Sequence, residues 1–231
     1  MAYVPGVLGR MKICIIIPML NEARTIGQLV QAVRAKGLDV VVIDDGSTDG
    51  GGAIAQAKGA VVITHEQRKG KGASLQDGFN YAVTHQYEGV VTMDGDGQHA
   101  VEDLDGFLNK ARQFPQDIIS GTRMNNCENM PWLRRRTNQF MSWLISVVCK
   151  QNIPDTQCGY RYISCKVLKE IRLVCKDFEI ESEVLIQASR KGFKVYAVPV
   201  KTIYSGEVSK INPVRDTIRF FVYISKEFFR G

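Results

Sequence analysis

The chain has 231 residues, 45% of them apolar, and a formal net charge of +6, a length and composition that support one domain with a substantial core. No run reaches the roughly 18 uninterrupted apolar residues of a membrane-spanning helix, residues 1–10 lack the apolar stretch of a secretory signal, and six scattered cysteines without a CxxC pair favour reduced cytosolic thiols over a disulfide frame or a zinc site. The positive charge suits an anionic partner, but no RNA-binding signature or zinc-finger spacing accompanies it, so nucleic acid is not expected.

Residues 1–10 read as a disordered extension, and the first apolar run follows Met11. From there short β-branched runs alternate with amphipathic segments, the pattern of strands joined by helices in one sheet. Strands are predicted over 12–18, 39–44, 60–64, 89–94 and 117–121, with helices over 22–36, 51–58, 73–85 and 101–114. Runs as apolar as Val40-Val41-Val42-Ile43 belong to strands buried on both faces, hence to a mostly parallel sheet flanked by helices. The second half is less regular: a helix over 133–150, a loop over 151–159, a helix over 180–191, a strand over 194–200 and a terminal helix from Pro213. No composition break, repeat or low-complexity tract divides the chain, so both halves are expected to share one core.

Ligands of open α/β sheets sit beyond the carboxyl ends of the strands, and here those positions are rich in carboxylates. In Val90-Val91-Thr92-Met93-Asp94-Gly95-Asp96-Gly97-Gln98-His99, two carboxylates one residue apart end a buried strand. Such a pair converges on one hard cation; oxygen ligands select Mg2+ or Mn2+, which also bind diphosphate oxygens. The blander reading is an Asp-Gly turn with solvated carboxylates. A second run, Val40 to Gly50, empties a strand into Asp44-Asp45-Gly46-Ser47-Thr48-Asp49. Asp44 and Asp45 are the candidates for ribose or base contact, while Thr48 and Asp49 read as caps of the next helix. A third segment, Pro18-Met19-Leu20-Asn21-Glu22, reads by itself as a strand stop with Asn21 as a helix cap.

Taken together these segments resemble the family 2 glycosyltransferases of the GT-A fold, over nearly the whole chain. The resemblance runs through Pro18, Asn21 and Glu22, Asp44 to Asp49, the Lys69-Gly70-Lys71-Gly72 turn, Asp94 to His99, and Asp155-Thr156-Gln157-Cys158-Gly159-Tyr160-Arg161. The last looks like a loop of dolichyl-phosphate and polyprenyl-phosphate glycosyltransferases. The resemblance implies a Rossmann-like single domain in which 11–125 binds a nucleotide-diphosphate sugar and 126–231 faces the acceptor. It places Pro18, Glu22 and Asp44 in a nucleoside pocket, with Asn21, Asp45, Lys71 and Arg161 as further donor-binding candidates from the same motifs. Asp94, Asp96 and Gln98 would surround Mg2+ or Mn2+ and the diphosphate, Asp96 and Gln98 as direct ligands, and Arg123 and Lys210 match phosphate-contacting basic residues. Catalysis would rest on Asp94, Asp96, Arg123 and Asp155.

An inverting transfer to a hydroxyl needs a carboxylate to take its proton, whereas a phosphate acceptor is already ionised. Asp155 is the preferred base candidate over Glu181 and Glu183. A lipid-phosphate acceptor is suggested by Arg134-Arg135-Arg136 followed by Phe140, Trp143, Leu144, Val147 and Val148, a basic start and apolar stripe that suits either a membrane interface or the core. Several polyprenyl-phosphate glycosyltransferases carry transmembrane helices after the catalytic domain; their absence here leaves a cytoplasmic enzyme peripheral on the membrane, a separate membrane subunit, or a saccharide acceptor. Asp94-Gly95-Asp96-Gly97 also fits a haloacid-dehalogenase-like phosphatase, but Gln98 stands where that chemistry wants Thr or Val, and the motif comes late. A non-catalytic sugar-nucleotide-binding subunit would be expected to lose the metal ligands, which are intact.

Overall fold

The apolar runs become strands β1 (Ile13–Met19), β2 (Asp39–Asp44), β3 (Val61–Thr64), β4 (Gly89–Thr92), β5 (Ile118–Thr122), β6 (Arg161–Ser164) and β7 (Val195–Pro199). Between them lie α1 (Ile26–Ala35), α2 (Gly51–Ala57), α3 (Lys71–Thr84), α4 (Leu104–Gln113), α5 (Trp132–Cys149), α6 (Cys165–Glu170) and α7 (Ile180–Arg190). This computed structural model describes residues 11–124, 132–201, 203 and 223–224. Lys210, residues 1–10 and, apart from Tyr223 and Ile224, the terminal helix expected from Pro213 lie outside the described residues.

The strands form one sheet in the order β3-β2-β1-β4-β6-β5-β7. Every pairing is parallel except those of β6, which runs antiparallel to β4 on one side and β5 on the other. Alternation along each strand divides the core. Ile13, Ile15, Ile17, Val40, Val42 and Val91 face one layer with α1 and α4, whereas Cys14, Ile16, Val41, Ile43 and Val90 face the other with α3, α5 and α7. Ile15, Ile16 and Ile17 are all 0% exposed, and burying each such side chain contributes about 1.5–3 kcal/mol. That two-sided burial is why these strands read as unbroken apolar runs.

The differences from sequence expectation are local. The helix predicted from 22 begins at Ile26, because Glu22 closes a turn by accepting the N–H groups of Thr25 and Ile26. The strand predicted over 89–94 stops at Thr92, where the chain turns into the acidic loop. β6 and α6 were not predicted. Four residues beginning with an arginine carry little strand signal, and β6 exists because it is hydrogen-bonded on both edges. Ser164 then starts α6 by accepting the Val167 N–H.

The face of α5 resolves the choice between core and surface stripe. Asn138, Met141, Ser142, Ile145 and Cys149 are buried, while Trp132, Phe140, Trp143 and Val147 are 70%, 50%, 60% and 46% exposed. Arg136 is exposed as well, and 132, 136, 140, 143 and 147 follow at three- and four-residue steps along one side of the helix. The helix therefore carries one apolar face inward and a second, aromatic one outward.

Candidate active site

β1, β2 and β4 end side by side, Met19 opposite Asp44 and Ile16 opposite Thr92, so the loops that follow them meet at one edge of the sheet. The first two loops are clasped together. Asn21, in the left-handed region at φ 53, donates its N–H to Ser47 Oγ at 2.9 Å and accepts the Thr48 N–H on Oδ1 at 2.8 Å. Asp49 accepts from Ala23 N–H at 2.8 Å on one oxygen and from Gly51 N–H at 3.0 Å on the other. Asn21 is thus a clamp between loops and does not cap α1, whose N-cap is Thr25; Thr48 is the clamp's other half, and only Asp49 reaches the start of α2.

Pro18, Glu22 and Asp44 lie at this edge. Asp44 is 5% exposed and accepts the Ser47 N–H at 2.8 Å. Asp45 has a different job from the donor contact expected of it. Its carboxylate, 4% exposed, accepts the N–H groups of Lys69 and Gly70 at 2.8 and 2.9 Å and lies 2.7 Å from His65 Nδ1. It holds the loop that leads into α3. Gly70, at φ +103, makes the turn where a Cβ would come within 2.5 Å of Lys176 O.

That loop delivers Lys71 as the first residue of α3, a position where the helix dipole disfavours a cation. Two carboxylates offset the cost: Lys71 Nζ is 2.6 Å from Asp94 Oδ1 and 2.7 Å from Glu181 Oε1. They also hold its ammonium charged well above the ordinary lysine range, against the burial that would lower it. Burial alone would raise the Asp94 carboxyl, but the adjacent Lys71 charge and, less, His99 hold it down at about 2. Among the described residues Asp96 has no such ion-pair partner: burial first, then the negative charge of Asp94, push it above the ordinary carboxyl range. One Asp96 oxygen accepts the Gln98 N–H at 2.9 Å. The Asp94 N–H donates to His99 Nδ1 at 3.1 Å, and the His99 ring stacks on Tyr160 at 4.7 Å.

The antiparallel strand brings the second half into this site. Thr92 pairs with Arg161, and its hydroxyl donates to Gly159 O at 2.6 Å. Gly159 passes so close that a Cβ on it would lie 2.9 Å from Glu181 Oε1 and 3.4 Å from both Asp94 Oδ2 and Lys71 Nζ; a side chain here would fill the site. Three assignments change in this half. Arg161, expected at the donor, is 2% exposed, and its guanidinium donates to the Glu181 and Thr156 carbonyls, binding the two backbones that flank the site. Asp155, the preferred base, is 1% exposed and accepts the Arg123 backbone N–H, both arms of the Arg123 guanidinium and the Gln157 N–H. Arg123, expected at a phosphate, spends that fork on Asp155, because a carboxylate so deeply buried must be paired. Glu183 is 0% exposed and accepts from Val174 and Cys175 N–H at 2.9–3.1 Å.

The residues fit a divalent cation by charge. Among the described residues Asp94, Asp96 and Glu181 set three carboxylates near the one ammonium of Lys71, which pairs with Asp94 and Glu181. Among the described residues no three His, Cys, Asp or Glu side chains converge as a ready-made cage, so Asp96 and the Gln98 amide would supply an incomplete oxygen set. That is the usual arrangement for Mg2+ held jointly by protein and substrate phosphates. The sequence shows Glu181 only as one of three base candidates and gives His99, five residues past Asp94, no role. For His65 it offered no signal.

The seven-stranded, mostly parallel sheet flanked by helices, with its acidic loop beyond β4, defines a GT-A glycosyltransferase domain. Residues 14–172 match the family described as Glycosyl transferase family 2, and the chain belongs to that family. It is 31% identical over 204 residues to the polyprenol monophosphomannose synthase of Mycolicibacterium smegmatis, covering 80% of this chain and 75% of that one. With the UDP-N-acetylglucosamine–dolichyl-phosphate N-acetylglucosaminyltransferase of Methanococcus voltae it shares 29% identity over 216 residues, 84% and 86% of the respective chains. Among solved structures, M. tuberculosis glucosyl-3-phosphoglycerate synthase matches with a TM-score of 0.69 at 18% identity, covering 93% of this chain and 80% of that one.

Proposed function

We propose that this glycosyltransferase moves a hexose, with inversion, from a GDP-mannose- or UDP-glucose-type donor to a polyprenyl or dolichyl phosphate. The observation that carries the acceptor is the state of the three carboxylates that are candidates for a base. Asp155 is tied to Arg123, Glu183 to two backbone N–H groups and Glu181 to Lys71. None is disposed to take a proton from a hydroxyl, and an ionised phosphate needs no base. The two relatives named above act, by their names, on a polyprenol or dolichyl phosphate.

On the donor side Asp96 and Gln98 would hold Mg2+ or Mn2+ together with the diphosphate. Bound there, the metal would act as a Lewis acid, neutralising charge on the departing nucleotide. Lys71 keeps Asp94 ionised beside it, Pro18, Glu22 and Asp44 line the nucleoside side, and Gly159 leaves room beside Asp94 and Glu181.

The exposed Trp132, Phe140, Trp143 and Val147 with Arg136 support a peripheral seat on an anionic membrane, aromatic rings at headgroup depth and arginines toward lipid phosphates. No helix among the described residues is long and apolar enough to cross a membrane. The test is a titration with GDP-mannose, UDP-glucose and UDP-N-acetylglucosamine, each with and without Mn2+, followed by transfer of the bound sugar to a polyprenyl phosphate or to a simple saccharide. Metal-dependent binding with transfer to the phosphate alone is expected; transfer to the saccharide alone would replace the acceptor.

A further inference from the structure

Beyond the metal and diphosphate, one buried cluster has no part in the chemistry described so far. His65 follows β3 and is 4% exposed. Its Nδ1 lies 2.7 Å from Asp45 Oδ1 and its Nε2 lies 2.8 Å from Asp77 Oδ2, on α3. Carboxylate oxygens only accept, so a ring between two of them satisfies both contacts when both nitrogens donate. Lys69 Nζ, 3.9 Å from the same Asp77 oxygen, is the cation facing the outer carboxylate.

The cluster has a direction. Asp45 spends its remaining acceptor capacity on the Lys69 and Gly70 N–H groups, and the next residue is Lys71, whose ammonium lies between Asp94 and Glu181. His65 thereby fixes the carboxylate that fixes the backbone that aims Lys71. The Asp77 contact anchors the ring to α3 itself, tying the loop to the helix.

We infer that His65 is a positioning residue for sugar transfer, donating from both ring nitrogens to Asp45 and Asp77 and thereby setting the Lys71 ammonium against Asp94. The inference rests on the donor-site reading above. It requires that the effect of losing His65 pass through Lys71.

A double-mutant cycle on the full chain tests this, read as donor KM and kcat with the sugar nucleotide the wild type uses, alongside proton NMR of the imidazole N–H signals. His65→Gln is expected to raise donor KM at least fivefold with kcat within threefold, and to add nothing to KM when Lys71 is already Met. The wild type is expected to show two slowly exchanging ring N–H protons for His65. Multiplying effects in the double variant, or a single ring N–H, would overturn the inference. If His65→Gln does not fold, Asp77→Ala takes its place in the same cycle, since the Asp77 side chain is 40% exposed and its loss is tolerable; a KM unchanged by Asp77→Ala would overturn the inference as well. A wild type that binds no sugar nucleotide would defeat the donor reading instead, and the ring N–H signals would still decide whether the clasp exists.

Discussion

The Arg123 guanidinium meets the Asp155 carboxylate edge to edge, Nε 2.8 Å from Oδ2 and Nη2 2.9 Å from Oδ1, with the Asp155 side chain wholly buried. This pair is architecture. Asp155→Ala leaves a guanidinium that is 14% exposed without its counter-charge, and a broken buried pair costs about 3–5 kcal/mol. The expected outcome is a large loss of stability in urea denaturation. A base role would instead give a normal unfolding curve with lost turnover.

Asp96 makes the opposite case. Its folded carboxyl sits above the ordinary range because of burial and then Asp94, so its ionised form at neutral pH weighs against folding, and that penalty is relieved as pH falls through the folded value toward the ordinary carboxyl range. Asp96→Asn removes that charge with little change in volume. Thermal unfolding should stay the same or rise slightly, while metal-dependent turnover falls by about a hundredfold or more, as loss of Lewis-acid stabilisation worth several kcal/mol requires. Full activity would end the metal assignment.

Lys71→Met separates charge from burial at Asp94. In the wild type Asp94 is held at about 2, so it is ionised throughout pH 4–8 and its contribution to stability is lost as pH falls from the ordinary carboxyl range through that value. Without Lys71, burial is opposed only by the weaker influence of His99 and Arg123, and the carboxyl rises. Affinity for Mn2+ alone, measured by calorimetry without sugar nucleotide, should hold or increase at pH 7, where a competing cation has gone, and fall more steeply than in the wild type toward pH 5. Parallel loss at both pH values would count against this reading.

The outward face of α5 is open to a direct test. Replacing Phe140 and Trp143, 50% and 60% exposed, with Ser should leave thermal unfolding almost unchanged, because neither ring is in the core. Binding to vesicles containing anionic lipid should drop by at least tenfold, given roughly 1.5–3 kcal/mol for each large apolar side chain removed from water. Unchanged vesicle binding would point to a protein partner on this face.

Much of the framework was readable along the chain. Asp39 to Asp44 shows its strand at both ends because Val40 to Ile43 are buried on both sides of the sheet. Asp94 and Asp96 were legible as an acidic loop because two carboxylates after an apolar strand, each followed by a glycine, constrain each other locally. Arg161 and Asp155 were misjudged for the same reason in reverse: a charged residue's sequence neighbours say nothing about the partner that will desolvate and neutralise it. Arg123 stands 32 residues from Asp155, and Arg161 stands 20 from the carbonyl of Glu181.

The sequence by itself therefore determined the alternation of strands and helices, the family motifs and the acidic loop, all of which depend on contacts within a few residues or on burial alone. Only the tertiary structure decided which charges are tools and which are fastenings. The antiparallel β6 between β4 and β5 sets Gly159 beside Asp94, and α7 carries Glu181 to Lys71. Pairings of that kind bridge separations of tens of residues, and in a low-dielectric interior the partner a charge finds, rather than the residue it is, fixes its chemistry.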